Sequence, residues 1–213
     1  MKRALILDLD NTIYPVKSIA DELFAELFKL IDDGTDDQQT AEDAKQELMS
    51  RPYQLVADEH GFSEELKAKG TELLRDLTYN EPMNCYPEYE DIRSLDIDKF
   101  LVTTGFTKLQ MSKIEMLGIK GDFKETYVVD PDKSDETKGD IFKKIMQENG
   151  YSVQDVLVIG DDPQSEIKFA IELGIDTFLF DQDSKYSDAS VIYRGAVVTC
   201  GSIFFKGGPA AGG

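Results

Sequence analysis

Two aspartates, Asp8 and Asp10, follow the apolar run ALIL (4–7) in the stretch LILDLDNTIYP. Carboxylates this close repel each other unless a cation relieves them. A strand ending in such a pair is therefore either a solvated turn or a site that holds a cation and attacks an electrophile. Three more places carry matching chemistry. Thr103 closes the run FLVT (100–103), with Thr104 and Gly105 after it. Lys133 and Lys138 lie beyond TYVV (126–129). Asp161 and Asp162 follow VLVIG (156–160), and Glu166 comes four residues after Asp162. Acid, hydroxyl, cation and acid each stand just past an apolar run. They meet in one crevice if those runs are parallel strands, because ligands of open α/β sheets bind at the carboxyl edge.

The rest of the pattern supplies such a sheet. ALIL, FLVT, VLVIG and TFLF (177–180) are unbroken apolar runs, as expected of strands covered on both faces, and TYVV is a weaker fifth. Helical patterns lie between them, over Thr107–Leu117, Lys138–Asn149 and Gln164–Leu173, each followed by glycine. This alternation predicts an α/β fold with a Rossmann-like open parallel sheet. Residues 16–82 read as helices only. Ile19, Leu23, Phe24, Leu27, Phe28 and Ile31 form one stripe, and further helices are expected over Ala41–Met49, Tyr53–Glu59 and Ser63–Leu77. The expected organisation is a catalytic core of 1–15 and 83–206, a small all-helical cap of 16–82 at the carboxyl edge, and a flexible tail of 207–213. SVIYRGAVV (190–198) and SIFF (202–205) read as strands, or as a strand and a short helix. His60 is expected at a helix end, and Arg51 and Tyr53 at the surface of a kink.

Composition sets outer bounds. The 213 residues carry a net charge of −19, which argues against nucleic acid or anionic membrane as partner. An anionic substrate would then need a local cation. No run approaches the ~20 apolar residues that span a bilayer. The two cysteines, Cys85 and Cys200, do not make a disulfide scaffold, and isolated thiols suit a reducing compartment, so a cytoplasmic location is expected.

In motif order and spacing the chain resembles the haloacid dehalogenase (HAD) superfamily of phosphatases and phosphotransferases. Asp8-Leu9-Asp10-Asn11-Thr12 matches its Asp-x-Asp-x-Thr motif, Thr103 its strand-end hydroxyl, Lys138 its lysine, and Gly160-Asp161-Asp162 with Glu166 its acidic motif. The insertion of 16–82 resembles the helical cap of one branch. The resemblance implies a Mg²⁺-dependent phosphatase acting on a small phosphomonoester, with a nucleotide as one candidate. Asp8 would be the nucleophile, forming an aspartyl-phosphate. Asp10 would be the general acid and then base, which requires the chain to bend after Asp8 at Asn11 and Thr12. Thr103 would donate to the phosphoryl group, with Thr104, Gly105 and Asn11 as neighbours binding phosphate. Asp8 and Asp161, with a backbone carbonyl at Asp10, would hold Mg²⁺, and Asp162 and Glu166 would orient its waters. Lys138 is preferred to Lys133 as the site cation.

A receiver domain places its lysine last, whereas here the lysine precedes the final acidic pair. A dehalogenase does not need a carboxylate at Asp10. The alternatives that stay open are a sugar phosphomutase of the same fold and a non-catalytic protein that binds phosphorylated metabolites.

Overall fold

The computed structural model describes residues 2–182, 185–186 and 193–195. Six strands, β1 (Ala4–Leu7), β2 (Asp98–Thr104), β3 (Glu125–Val129), β4 (Val156–Gly160), β5 (Asp176–Phe180) and β6 (Tyr193–Gly195), form one sheet. Their order is β3-β2-β1-β4-β5-β6, and every neighbouring pair is parallel. The apolar runs are these strands, extended in three cases by polar or charged residues at the start. The fold is the expected α/β, Rossmann-like one.

Why the runs show little alternation is visible in the packing. Leu5 and Leu7 of β1 pack with Leu101, Leu157 and Ile159 on one face of the sheet. Ala4 and Ile6 pack with Phe100, Val102, Val156 and Val158 on the other. Both faces are covered, so both sets must be apolar. Phe142 and Ile145 of α8 (Lys138–Asn149) and Ala170 of α9 (Glu166–Glu172) close the second face. On the first, α7 (Thr107–Met116) contributes Leu109 and Ile114. Helix α8 has clear ends. Thr137 and Asp140 form a reciprocal capping box, and Gly150 ends the helix at φ 65°.

Between β1 and β2 lie α1 (Ala20–Leu23), α2 (Ala25–Gly34), α3 (Gln38–Glu47), α4 (Tyr53–Glu59), α5 (Glu64–Asp76) and the short α6 (Tyr89–Arg93). The stripe from Ile19 to Ile31 is not one helix. It breaks at Phe24, whose ψ of 11° interrupts the helical backbone and separates α1 from α2. Tyr53 is not a surface residue either. It is buried, its hydroxyl donates to the Leu66 carbonyl at 2.8 Å, and its ring lies so close to Gly70 that a Cβ there would stand 2.3 Å away. A glycine inside α5 makes that approach possible. His60 does follow a helix, directly after α4, beside Glu47 at 3.2 Å.

Among the described residues no helix is long and apolar enough to cross a membrane. Cys85 is a free thiol. Of the stretch 190–198 only Tyr193–Gly195 is described. The rest, SIFF, Cys200 and the tail 207–213 lie outside the described residues.

Candidate active site

The parallel sheet sends the ends of β1, β2, β3 and β4 to one edge. β1 stops at Leu7, and Asp8 continues its ladder only through its N–H, which donates to the Ile159 carbonyl at 3.0 Å. The chain then turns. Ile13 N–H donates back to Leu9 at 2.9 Å, and Asn11 holds φ 55°, a left-handed conformation that asparagine tolerates better than most residues. This turn is the bend that brings Asp10 round to the site.

Asp8 is 6% exposed. Lys138, the first residue of α8, reaches it at 2.6 Å and also reaches Glu166 at 2.7 Å. Lys138 is itself buried, and although burial works against its charge, Asp8 and Glu166 outweigh that and raise its pKa. Lys133 does not reach Asp8. It is exposed and committed to Asp130 at 3.1 Å and to Thr107.

Glu166 occupies space that Gly160 leaves free. A Cβ on Gly160 would fall 2.2 Å from the glutamate side chain, so the Gly-Asp of the acidic motif is needed sterically. Glu166 also accepts from the Asp162 N–H at 2.8 Å. Ligand oxygens of Asp8, Asp161 and Glu166 all lie within 4.8 Å of one another. Burial, with Lys138 opposing it and Glu166 and Asp10 adding to it, raises Asp8 to about 7. Burial and then the charges of Glu166 and Asp8 push Asp161 well above the usual range. Three clustered carboxylates with one buried ammonium among them form a donor set of hard oxygens short of positive charge, which suits a divalent cation. Asp162 stands outside this trio and uses its carboxylate to accept from Gln164 N–H at 2.8 Å. Thr12 orders the loop, its hydroxyl 3.4 Å from Asp161.

Asp10 lies in a different environment. Lys113 donates to one of its oxygens at 2.8 Å, Gln110 to the other at 2.9 Å, and the Tyr14 hydroxyl bonds it too. Burial pushes the Asp10 carboxyl up, but Lys113 and the hydrogen bonds outweigh it and hold its pKa below the usual value. Gln110 also donates to Thr103 Oγ1 at 2.7 Å. The same Nε2 is 2.9 Å from the Thr104 carbonyl, so its two hydrogens are shared among Asp10, Thr103 and Thr104. Asp10, Asn11, Thr103, Thr104, Gly105, Lys138, Asp161, Asp162 and Glu166 line one cavity with Asp8. The side chain of Asn11 is committed at both ends, to the Met49 carbonyl at 2.8 Å and from Val16 N–H at 3.1 Å, so any phosphate contact from this residue falls to its backbone.

Sequence reasoning missed Lys113, Gln110, Tyr14 and Asp130. Lys113 and Gln110 were legible in principle. With Phe106 and Leu117 they make the spacing 106, 110, 113, 117, so a lysine and a glutamine stand on the otherwise apolar, buried face of the helix. Asp130 follows β3, accepts the N–H and hydroxyl of Thr107 at 2.9 and 2.6 Å, and so caps the start of α7.

Comparison with known proteins shows the family and the fold. A family model of haloacid dehalogenase-like hydrolases matches residues 2–174, and the chain belongs to that family. A search of curated protein sequences finds no match. Among solved structures, the candidate HAD-hydrolase YfnB from Bacillus subtilis, bound to magnesium, is 19% identical with a TM-score of 0.68, over 96% of this chain and 99% of that one. The haloacid dehalogenase-like family protein SP0104 from Streptococcus pneumoniae is 16% identical with a TM-score of 0.69, over the same shares of the two chains. A candidate phosphatase from Clostridium difficile is 16% identical with a TM-score of 0.66, over 91% of this chain and 93% of that one. At these identities the likeness shows a shared fold.

Proposed function

We propose that this hydrolase is a Mg²⁺-dependent phosphatase of small phosphomonoesters that works through an aspartyl-phosphate on Asp8. The observation that carries this reading is the buried arrangement Asp8–Lys138–Glu166, with Asp161 beside it and a second carboxylate, Asp10, held apart by Lys113.

Asp8 attacks phosphorus and the P–O bond to the leaving group breaks. Lys138 holds Asp8 in place and offsets the negative charge of the incoming phosphate. Thr103 donates its hydroxyl hydrogen to a phosphoryl oxygen. Asp10, ionised in the free protein, must take up a proton as substrate binds before it can pass one to the leaving oxygen, and it then removes one from the water that cleaves the acyl phosphate. Asp8, Asp161 and Glu166 would hold Mg²⁺, which when bound neutralises phosphate charge and polarises the phosphoryl group. The helical segment 16–82 acts as a cap that shields the site from water.

The test is turnover of a panel of small phosphomonoesters by the purified protein, with and without Mg²⁺, beside Asp8→Asn. Turnover that requires both the cation and Asp8 is expected. Full activity in Asp8→Asn would remove the nucleophile, and hydrolysis that ignores Mg²⁺ would remove the cation.

A further inference from the structure

The cavity that holds the carboxylates has a second character. Phe24, Leu27, Leu48, Leu74, Phe106 and Leu109 line it together with Asp8 and Asp10. They come from the junction of α1 and α2, from α2, from the end of α3, from α5 and from the start of α7. Several polar residues on the same wall are already engaged, and Ser50, Gln54 and Ser165 are the further polar side chains of the lining. Asn11 is bonded to Met49 and Val16, Arg51 is paired with Glu47 at 2.6 Å and with Glu59, and the Tyr53 hydroxyl is bonded to Leu66. The cavity measures about 160 Å³. That volume includes the carboxylate end where a phosphoryl group would sit, so what remains for the leaving group is small.

We propose that the leaving group this site selects is compact and apolar, a single aromatic ring or a short branched chain, in preference to a sugar or polyol. The inference rests on the phosphatase reading above. Apolar walls gain from covering such a group. A polyol would meet mostly apolar side chains, with Ser50, Gln54 and Ser165 as its few partners, and polar groups left unpaired are costly to bury.

Benzyl phosphate and ribose 5-phosphate make the comparison, since both release an alkyl alcohol. The kcat/KM for the benzyl ester is expected to exceed that for the sugar ester by roughly tenfold or more, the scale on which apolar pockets discriminate. In Leu74→Asn that ratio should fall toward one. Direct titration of the wild-type protein with benzylphosphonate and with 2-hydroxyethylphosphonate gives a readout that needs neither turnover nor a variant, and the benzyl compound should bind tighter. A sugar ester hydrolysed as well as the benzyl ester, or equal binding of the two phosphonates, overturns the inference and leaves the phosphatase reading standing. Tighter binding of benzylphosphonate without hydrolysis of any ester supports the apolar pocket and removes the phosphatase reading instead.

Discussion

Lys113 and Asp10 are 103 positions apart in the chain and 2.8 Å apart in space. The lysine side chain is 4% exposed, so this pair is shielded from solvent on one side. Removing one partner of a buried pair leaves an uncompensated charge. Lys113→Met should therefore cost about 3 kcal/mol of stability and reduce turnover, while Lys113→Arg should recover part of both. Denaturant unfolding and steady-state kinetics on the two variants check this. A methionine variant as stable as the parent would show that the pair contributes nothing.

Lys138 and Lys133 separate cleanly in the structure, one buried between two carboxylates and one exposed. Lys138→Met should lower kcat by roughly 10²-fold or more, as loss of a preorganised charge does. Lys133→Met should stay near the parent value. Reversed results would move the site cation to the loop after β3.

The carboxylate trio predicts a coupling between pH and cation. Asp8 is raised from the usual carboxylate value to about 7, and Asp161 is raised as well. A carboxyl that is harder to ionise when folded binds more protons in the native state than in the unfolded one. Stability from this source is present at low pH and is lost as pH rises from about 4 toward 7. Mg²⁺ binds the deprotonated oxygens, so its stabilising effect should be larger at pH 8 than at pH 5. Thermal melts with and without Mg²⁺ at the two pH values measure it. An equal shift at both, or none, would contradict the assignment.

Asp130 has the opposite sign. Burial pushes its carboxyl up, but the bonds from Thr107, Lys133 and the Asp132 backbone outweigh that and hold it at about 2. Its contribution is present above the unfolded value and is lost as pH falls from about 4 to about 2. Asp130→Asn should cost ~2 kcal/mol near neutrality and flatten the acid limb of a stability–pH curve. An acid limb unchanged in the variant would argue that Thr107 and α7 are held by other contacts.

What the sequence revealed follows a physical division. Strand runs such as ALIL and VLVIG are legible because both faces of the sheet are covered and leave no polar position to interrupt them. The order of acid, hydroxyl, lysine and acid is legible because parallel strands deliver their ends to one edge. The break at Phe24 was hidden because Leu23, Phe24 and Leu27 keep a helical spacing across it. Tyr53 was misread because its burial depends on Gly70, a residue in another helix. Lys113 was passed over because a lysine on an apolar stripe has meaning only once its partner, Asp10, is in view.

Asn11 gives the turn after β1 a mechanical property. Its amide ties the residue next to Asp10 to the Met49 carbonyl, within the segment that joins α3 to α4. That bond latches the sheet edge to the helices. A swing of those helices away from the sheet must stretch that bond or drag the backbone beside Asp10 along with it. Asn11→Gly would keep the left-handed bend while cutting the tether, and it would also release the Val16 N–H that the same side chain accepts.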